Sequence, residues 1–304
     1  MRTCRYLHLD VFTDRPFEGN QLAVFPEPEG LSTAEMQTIT REMNFSECTF
    51  VFPAGKGGDW RVRIFTPGEE LPMAGHPTIG TAFALAAEGT IPAGRESVVF
   101  ELGVGPTPVS LEWDRERLSF AWMTQPLPTF ETTIEDRAAL AAAAGISIDW
   151  LAQGLPVQVV ACGVPFLFVP LVSREAVDAV SLDRRALARC LRDVGLEELP
   201  VFFFAGVPAG AASADETVYS RMLAPGFGIV EDPATGGASG PLGCYLLRHG
   251  VVSAGAAQAI VSLQGAAMGR PSRIYIAIDS QDGAISRVRV GGHAVMIGRG
   301  ELTF

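Results

Sequence analysis

Arg63-Ile64-Phe65-Thr66-Pro67-Gly68 and Arg221-Met222-Leu223-Ala224-Pro225-Gly226 are two copies of one pattern, 158 residues apart in a chain of 304. Each copy leads into a second matching stretch that is rich in Gly and Pro and precedes an apolar helical run, namely Gly75-His76-Pro77-Thr78-Ile79-Gly80-Thr81-Ala82 and Asp232-Pro233-Ala234-Thr235-Gly236-Gly237-Ala238. A third, partial match precedes both, between residues 20–25 and 164–169. One such match is commonly only a strand that ends in a turn. Three matches in the same order indicate an internal duplication.

The duplication predicts an α+β fold with two similar lobes. Strand-like segments are in excess, and each half contains one long apolar helix. We therefore expect a mixed β-sheet rolled around a central helix in each lobe. We place the N-terminal lobe at 1–124 and the C-terminal lobe at 125–304, with the option that the last strands cross to the first lobe. The Pro-rich and then Ala-rich stretch 125–154 fits an inter-lobe connection.

Local patterns predict the individual elements. Ser32 can cap a helix that runs to about Met43, a second helix starts at Pro77, and a third covers 183–194. The predicted strands are 6–12, 21–25, 48–52, 60–65, 97–102, 109–113, 118–123, 157–161, 166–171, 201–204, 273–278 and 286–290.

The composition excludes several classes of function. Lys56 is the one lysine among 23 basic residues, it lies in a Gly-rich turn, and Gly57 follows it. A phosphate-binding P-loop needs Ser or Thr after its lysine, and Schiff-base or pyridoxal-phosphate chemistry needs a lysine desolvated in a pocket. The 34 acidic residues give a net charge of -11 without any basic cluster, so nucleic acid and anionic membranes are poor partners.

The five cysteines predict a cytoplasmic protein with reduced thiols. Their number is odd and none has CxxC spacing, which argues against a disulfide framework and a structural zinc site. The first residues alternate polar and apolar side chains, and no run approaches 18 apolar residues, so we expect neither a signal peptide nor a membrane span.

Two helix starts are candidate anion sites. Gly75-His76-Pro77-Thr78 combines a small residue for close backbone approach, Pro for a first helical turn and Thr to bond free N–H groups, and 232–237 is similar. Two such starts facing one cleft would hold a small carboxylated molecule from both sides. Either stretch alone is more commonly just a capped helix start.

Few side chains are candidates for acid–base chemistry. Of the four histidines, only His76 lies in a functional-looking setting, and no His/Cys pair has metal-ligand spacing, so we predict no metal. Glu47 stands between a helix end and an apolar strand, where partial burial would favour the protonated carboxyl. A single Glu chosen in this way is more often a surface residue at a strand start.

A family resemblance brings these residues together. It rests on Asn20 with Gln21-Leu22-Ala23-Val24, on Ser46-Glu47-Cys48-Thr49-Phe50-Val51, on residues 63–67 and 70–78, on Glu231-Asp232-Pro233-Ala234-Thr235-Gly236, and on Gln264-Gly265 with 268–272. These motifs closely resemble the PhzF-like phenazine-biosynthesis isomerase family, and the match runs along essentially the whole chain.

The resemblance implies a diaminopimelate epimerase-like fold, usually as a homodimer, and an isomerisation without cofactor or metal. It implies that Glu47 is the proton shuttle, that His76 and Asp232 assist it, and that backbone N–H groups after Gly75 and Gly236 receive carboxylate or enolate charge. The residues that we expect to contact substrate are Asn20, Gly75, Pro77, Thr78, Thr235, Gly236 and Gly237.

Two differences from related families narrow the reactions that this chain can be expected to catalyse. A related epimerase branch has a cysteine at the start of each central helix, and here those places are 74–76 and 235–237, so residue type excludes a two-thiol racemase. The family commonly has Ser where this chain has Gly237, which keeps a backbone donor but loses a hydroxyl. Ser239 lies two residues further on.

The sequence thus favours an isomerase that moves a proton within a small, dihydroaromatic or amino-acid-like carboxylate and takes no nucleic acid or membrane partner. One alternative is a one-base amino-acid epimerase. The other is a metabolite-binding protein in which Glu47 is only a ligand contact.

Overall fold

The computed structural model describes residues 2–206 and 216–304. The chain divides into two compact units, each treated separately below. The first unit is Met1–Gln125, Ala234–Gly237 and Arg289–Phe304, and the second is Pro126–Pro233 and Ala238–Val288.

The strands, in chain order, are β1 (Thr3–Val11), β2 (Asn20–Phe25), β3 (Glu47–Pro53), β4 (Trp60–Phe65), β5 (Glu70–Leu71), β6 (Ser97–Leu102), β7 (Gly105–Asp114), β8 (Arg117–Gln125), β9 (Thr129–Thr133), β10 (Gln158–Ala161), β11 (Pro165–Pro170), β12 (Val201–Gly206), β13 (Val218–Ala224), β14 (Ile229–Asp232), β15 (Ile260–Gln264), β16 (Ser272–Gln281), β17 (Ala284–Gly292) and β18 (Ala294–Thr303). The α-helices are α1 (Thr33–Met43), α2 (Gly75–Ala87), α3 (Arg137–Ala144), α4 (Arg174–Asp178), α5 (Arg184–Asp193) and α6 (Gly236–Arg248).

In the first unit a mixed sheet surrounds α2. Strand β1 pairs antiparallel with β2 and β18, β2 runs parallel to β3, and β3 pairs antiparallel with β4. Strand β4 is antiparallel to β5 and parallel to β6, and β6, β7 and β8 continue antiparallel. Helix α2 packs against β1, β2, β3, β8 and β18. The predicted sheet rolled around a central helix is confirmed for this unit.

The sequence of α2 explains its central position. Its 13 residues carry no Asp, Glu, Lys or Arg, and every residue from Gly75 to Leu85 is buried. A helix that is apolar on all sides is stable only when it is covered on all sides. At Gly80 a Cβ would overlap Leu22 and lie 2.7 Å from Val11 Cγ2, so the absent side chain lets the helix approach the sheet.

The second unit repeats the topology of the first. Strand β10 is antiparallel to β11, β11 is parallel to β12, and β12 is antiparallel to β13. Strand β13 is antiparallel to β14 and parallel to β15, and β15 is antiparallel to β16. Helix α6 is buried from Gly236 to Leu246, and Gly243 packs against Ile276 and Ile278. This pair-by-pair correspondence confirms the duplication.

An ion pair recurs at the same place in both copies. The Arg63 guanidinium donates twice to Glu70, at 2.6 and 2.7 Å, and the Arg221 guanidinium donates twice to Glu231, at 2.7 and 2.9 Å. Each glutamate lies five residues before the first residue of a central helix. Bidentate pairing fixes the direction of both side chains, so each pair ties the strand to the turn that leads into the helix.

The predicted elements are largely present, with shifted ends. Helix α1 follows Ser32 as predicted, whereas α2 begins at Gly75, two residues before the predicted start. Strand β1 ends one residue before its predicted end, because Phe12 has φ +65° and this left-handed conformation interrupts an extended strand. Strands β5, β9, β13, β14, β15 and β18 were not predicted. Among the described residues no helix has both the length and the apolar character needed to cross a membrane.

The cap of α1 gives a test of local stability. Ser32 Oγ accepts from the Glu35 N–H at 3.3 Å, and the Glu35 carboxylate accepts from the Ser32 N–H at 2.7 Å. Ser32→Ala should lower the free energy of unfolding by about 1 kcal/mol, because an N–H of the first turn loses its acceptor. Urea denaturation followed by circular dichroism measures it. Thr38→Ala, an exposed change within the same helix, should cost less, and equal losses would contradict the cap's role.

Candidate active site

Glu47 is the first residue of β3, and the fold determines where its side chain begins. Asn44, which follows the last residue of helix α1, takes the left-handed conformation and turns the chain toward the strand. Strand β3 then runs parallel to β2, with Glu47 opposite Leu22. Only 8 % of Glu47 is exposed. A carboxyl group is thereby held at the buried end of a strand.

The Glu47 carboxyl faces a buried imidazole. Glu47 Oε2 lies 3.4 Å from Nδ1 of His76, the second residue of α2, and His76 is 2 % exposed. Asn20 Nδ2 lies 3.2 Å from the same Nδ1 and donates to the Ala234 carbonyl at 2.9 Å. Three of the predicted residues, Asn20, Glu47 and His76, are therefore brought together in the first unit.

The hydrogen bonds of Asn20 determine the state of the imidazole. Because the Asn20 amide nitrogen donates to the Ala234 carbonyl, the nitrogen also faces His76, and Nδ1 must accept. Burial lowers the pKa of His76 to about 3, with a smaller opposing effect of the Gln21 backbone. His76 is thus neutral, with its hydrogen on Nε2. The contact between His76 and Glu47 is therefore not an ion pair.

The start of α2 keeps backbone donors uncapped. Its N-cap is Ala74, without a side-chain capping bond, and Pro77 stands at the third helical position, where an N–H would have no partner in the helix. The expectation that Thr78 bonds free N–H groups is wrong, because its hydroxyl donates to the Ala74 carbonyl at 2.6 Å. The first N–H groups of this helix are consequently available to an anion.

The first residues of α6 lie directly against the start of α2. A Cβ on Gly75 would lie 2.5 Å from Gly236 Cα and 2.8 Å from Gly237 N, and a Cβ on Gly236 would lie 2.9 Å from Gly75 Cα. The fully buried ring of Phe12 also lies 2.9 Å from that position. Only glycine fits at Gly75 and Gly236. Two positive helix ends therefore meet where an anion can contact both.

The remaining predicted residues have different settings. Asp232 belongs to the second unit, where it ends β14, is 4 % exposed and accepts from Gln264 Nε2 through its backbone carbonyl at 2.8 Å. Thr235 is half-buried and directly precedes α6. Ser239 is fully buried at the fourth position of that helix. Gly237 contributes a backbone amide at the second position.

Gln125 is a residue that the sequence did not reveal. It ends β8, is 4 % exposed, and its Nε2 donates to the Gly236 carbonyl at 2.9 Å. In the sequence it stands at the boundary of the Pro-rich connection, and no motif distinguishes it from any other polar residue at a strand end.

The thiols are not acid–base groups of this site. Burial raises the pKa of the Cys48 thiol to about 12, and Cys48 packs in an apolar cluster with Phe25, Phe50 and Phe65. Within 2–206 and 216–304, no group of three or more His, Cys, Asp or Glu side chains is arranged to hold a metal ion.

A buried carboxyl lies beside a neutral imidazole on a duplicated α+β fold that has glycine at both central helix starts, an arrangement suited to acid–base isomerisation. Comparison with known proteins agrees. A family model described as phenazine biosynthesis-like protein matches residues 9–300. The chain belongs to this family, as the motifs of the sequence predicted.

Named relatives and solved structures support the assignment. The chain is 38 % identical to trans-2,3-dihydro-3-hydroxyanthranilate isomerase of Pseudomonas fluorescens, over 98 % of both chains. A PhzF-family phenazine biosynthesis protein of Bacillus anthracis has a TM-score of 0.87 at 23 % identity, covering both chains fully. A predicted epimerase of Pseudomonas aeruginosa has a TM-score of 0.81 at 32 % identity, over 99 % of both chains. The chain is therefore an isomerase with a diaminopimelate epimerase-like α+β fold.

The contact between the helix starts can be tested with one methyl group. Gly75→Ala should lower the free energy of unfolding by about 1–3 kcal/mol, because its Cβ overlaps the Gly236 backbone. Thermal and urea denaturation measure the loss. Gly298→Ala in β18 is the control, because its Cβ would meet no atom within 4 Å. A Gly75→Ala protein as stable as Gly298→Ala would contradict the close approach.

The state of His76 can be read by NMR. Between pH 8 and pH 5 its imidazole ¹⁵N shifts should remain those of the neutral form with hydrogen on Nε2, since the pKa lies near 3. The folded pKa is below the ordinary value of 6.5, so protons bind the unfolded chain first as pH falls. This group therefore removes up to about 1.4 kcal/mol of stability per pH unit between pH 6.5 and pH 3. Titration with a midpoint near 6.5 would contradict the assignment.

Proposed function

We propose that this chain is a cofactor-independent isomerase that moves a proton within a small carboxylated, dihydroaromatic or amino-acid-like metabolite. The observation that carries the proposal is the 3.4 Å contact between Glu47 and the neutral His76 beside two adjoining helix starts. The relatives named trans-2,3-dihydro-3-hydroxyanthranilate isomerase support a substrate of that chemical type.

Glu47 is the proton carrier in this proposal. Its carboxylate takes a proton from one substrate carbon and, as the acid, returns the proton to another, so no other acid or base is consumed. Because His76 is neutral, it does not hold the Glu47 carboxylate in an ion pair. Asn20 donates both to His76 and to the Ala234 carbonyl, so we assign it to holding the imidazole.

The helix starts stabilise the charge that this transfer creates. Removing a proton from a carbon near a carboxylate places further negative charge on the substrate. The N–H groups at Gly75, His76 and Gly237 are fixed in direction before the substrate binds, so they stabilise that charge without reorganisation. We assign Asp232 to binding polar substrate groups, and Pro77, Thr78 and Thr235 to shaping the two helix starts.

The cellular setting is also part of the proposal. The five cysteines are free thiols and four of them are buried, which agrees with a reducing cytoplasm. The homodimer implied by the family resemblance stays a prediction.

The proton transfer can be tested by isotope incorporation. With trans-2,3-dihydro-3-hydroxyanthranilate in D₂O, the wild-type protein should form the isomer, with deuterium at the receiving carbon in those turnovers in which the Glu47 carboxyl exchanges with solvent; NMR and mass spectrometry detect both. Glu47→Gln should reduce the rate at least about 100-fold, since the amide cannot accept the proton, while ligand binding persists. Glu101→Gln is the matched control, because Glu101 is equally buried but accepts from the N–H groups of Gly55 and Gly58. The Glu101→Gln protein should exchange deuterium at the wild-type rate and be less stable than the wild-type protein.

Each failure has its own meaning. Exchange that survives in Glu47→Gln would refute the shuttle. A product that differs from the substrate only at one stereocentre would instead identify a one-base epimerase. Tight binding of the carboxylate by the wild-type protein, with neither isomerisation nor exchange, would identify a metabolite-binding protein.

A further inference from the structure

Gln125 carries a buried hydrogen-bond acceptor that the protein itself does not use. Its Nε2 donates to the Gly236 carbonyl at 2.9 Å, while its Oε1 is buried and has no hydrogen-bond partner among the described residues. An unmet acceptor in a protein interior costs about 1–3 kcal/mol. Such an atom calls for an explanation in terms of structure or ligand binding.

The orientation of this amide is settled by its neighbour. Rotating the amide by 180° would place Oε1 against the Gly236 carbonyl, and two acceptors would then face each other. Nε2 must therefore face Gly236, and the unused atom is an acceptor rather than a donor. Its complement is an N–H or O–H group.

Another buried glutamine shows the contrast. Gln158 is 9 % exposed, its Nε2 donates to the Glu131 carbonyl at 3.2 Å, and its Oε1 lies 2.9 Å from His249 Nε2. Both ends of that amide are engaged within the protein. At Gln125 only one end is engaged, and the engaged end is bonded to the first residue of α6.

The position of Gln125 connects it to the candidate active site. Gly236, whose carbonyl it bonds, lies against the backbone of Gly75, and the residue after Gly75 is His76. The unused acceptor therefore stands beside the helix starts that we assign to the substrate carboxylate. A carboxylate held there needs no acceptor, but an amino or hydroxyl group on the neighbouring carbon does.

We propose that Gln125 Oε1 accepts a hydrogen bond from an amino or hydroxyl group next to the substrate carboxylate, and so selects substrates that carry this donor. The inference rests on the proposed function for the location of the carboxylate. Gln125 is then a substrate-binding residue whose contribution is specificity: a ligand without the donor leaves the acceptor buried and unmet, which penalises that ligand.

Two ligands that differ by one donor test the proposal. Binding of 2-aminobenzoate and of benzoate should be compared by isothermal titration calorimetry. The wild-type protein should prefer 2-aminobenzoate by roughly tenfold or more, the factor that one unmet buried acceptor produces. In Gln125→Leu the two ligands should bind about equally, because 2-aminobenzoate loses affinity and benzoate does not. Gln158→Leu should be less stable and keep the wild-type preference.

Three outcomes of the calorimetry would overturn the proposal. Equal affinities in the wild-type protein, or a preference that survives in Gln125→Leu, would show that Oε1 does not contact the donor. Absence of binding by both ligands would refute it as well. If Gln125→Leu does not fold, Gln125→Met takes its place in the experiment, because methionine keeps the unbranched shape of the glutamine side chain. The comparison needs no turnover. A wild-type protein that exchanges the isotope normally but shows no preference refutes this inference alone, and a wild-type protein that shows the preference but no isomerisation refutes the proposed function alone.

Discussion

The backbones of Gly75 and Gly236 lie so close that no side chain fits at either residue, and the geometry of the site depends on this approach. It brings two positive helix ends together, an arrangement that is unfavourable by itself and favourable once an anion lies against both. The approach also fixes Ala234, whose carbonyl holds Asn20, which in turn holds His76. A displacement of either helix start would therefore disturb the imidazole as well as the anion site.

Burial then decides what kind of contact His76 makes. The 3.4 Å between His76 Nδ1 and Glu47 Oε2 would suit an ion pair between an imidazolium and a carboxylate. The His76 imidazole, however, is 2 % exposed and lacks the solvation that a charge requires. Burial lowers the pKa of His76 to about 3, so the imidazole is neutral at neutral pH. A neutral imidazole does not trap the Glu47 carboxylate in a salt bridge, and the proposed shuttle requires a carboxyl that can change its protonation state.

Local and repeated patterns were predictable, whereas contacts across the fold were not. The cap at Ser32 is encoded within four residues, and the duplication is visible because the stretches from Arg63 and Arg221 keep their order. The candidate residues Glu47 and His76 came from the family motifs that surround them. Gln125 could not be found, because its importance comes from a carbonyl 111 residues away along the chain. The bond of Thr78 to its own helix was also missed, since a hydroxyl can serve equally as donor or acceptor.

The duplication also bears on the chemistry, because the two copies differ where the acid–base group stands. Cys48, the residue after Glu47, pairs with Phe65 of the Arg63 stretch, and Val201 pairs with Leu223, the residue that matches Phe65 in the Arg221 stretch. Val201 is therefore equivalent to Cys48, and Pro200, which has no titratable side chain, occupies the position equivalent to Glu47. Inversion of a stereocentre by two opposed acid–base groups would need a second such group at that position. In the function proposed above, Glu47 alone removes and returns the proton, so the transfer takes place on one face of the substrate.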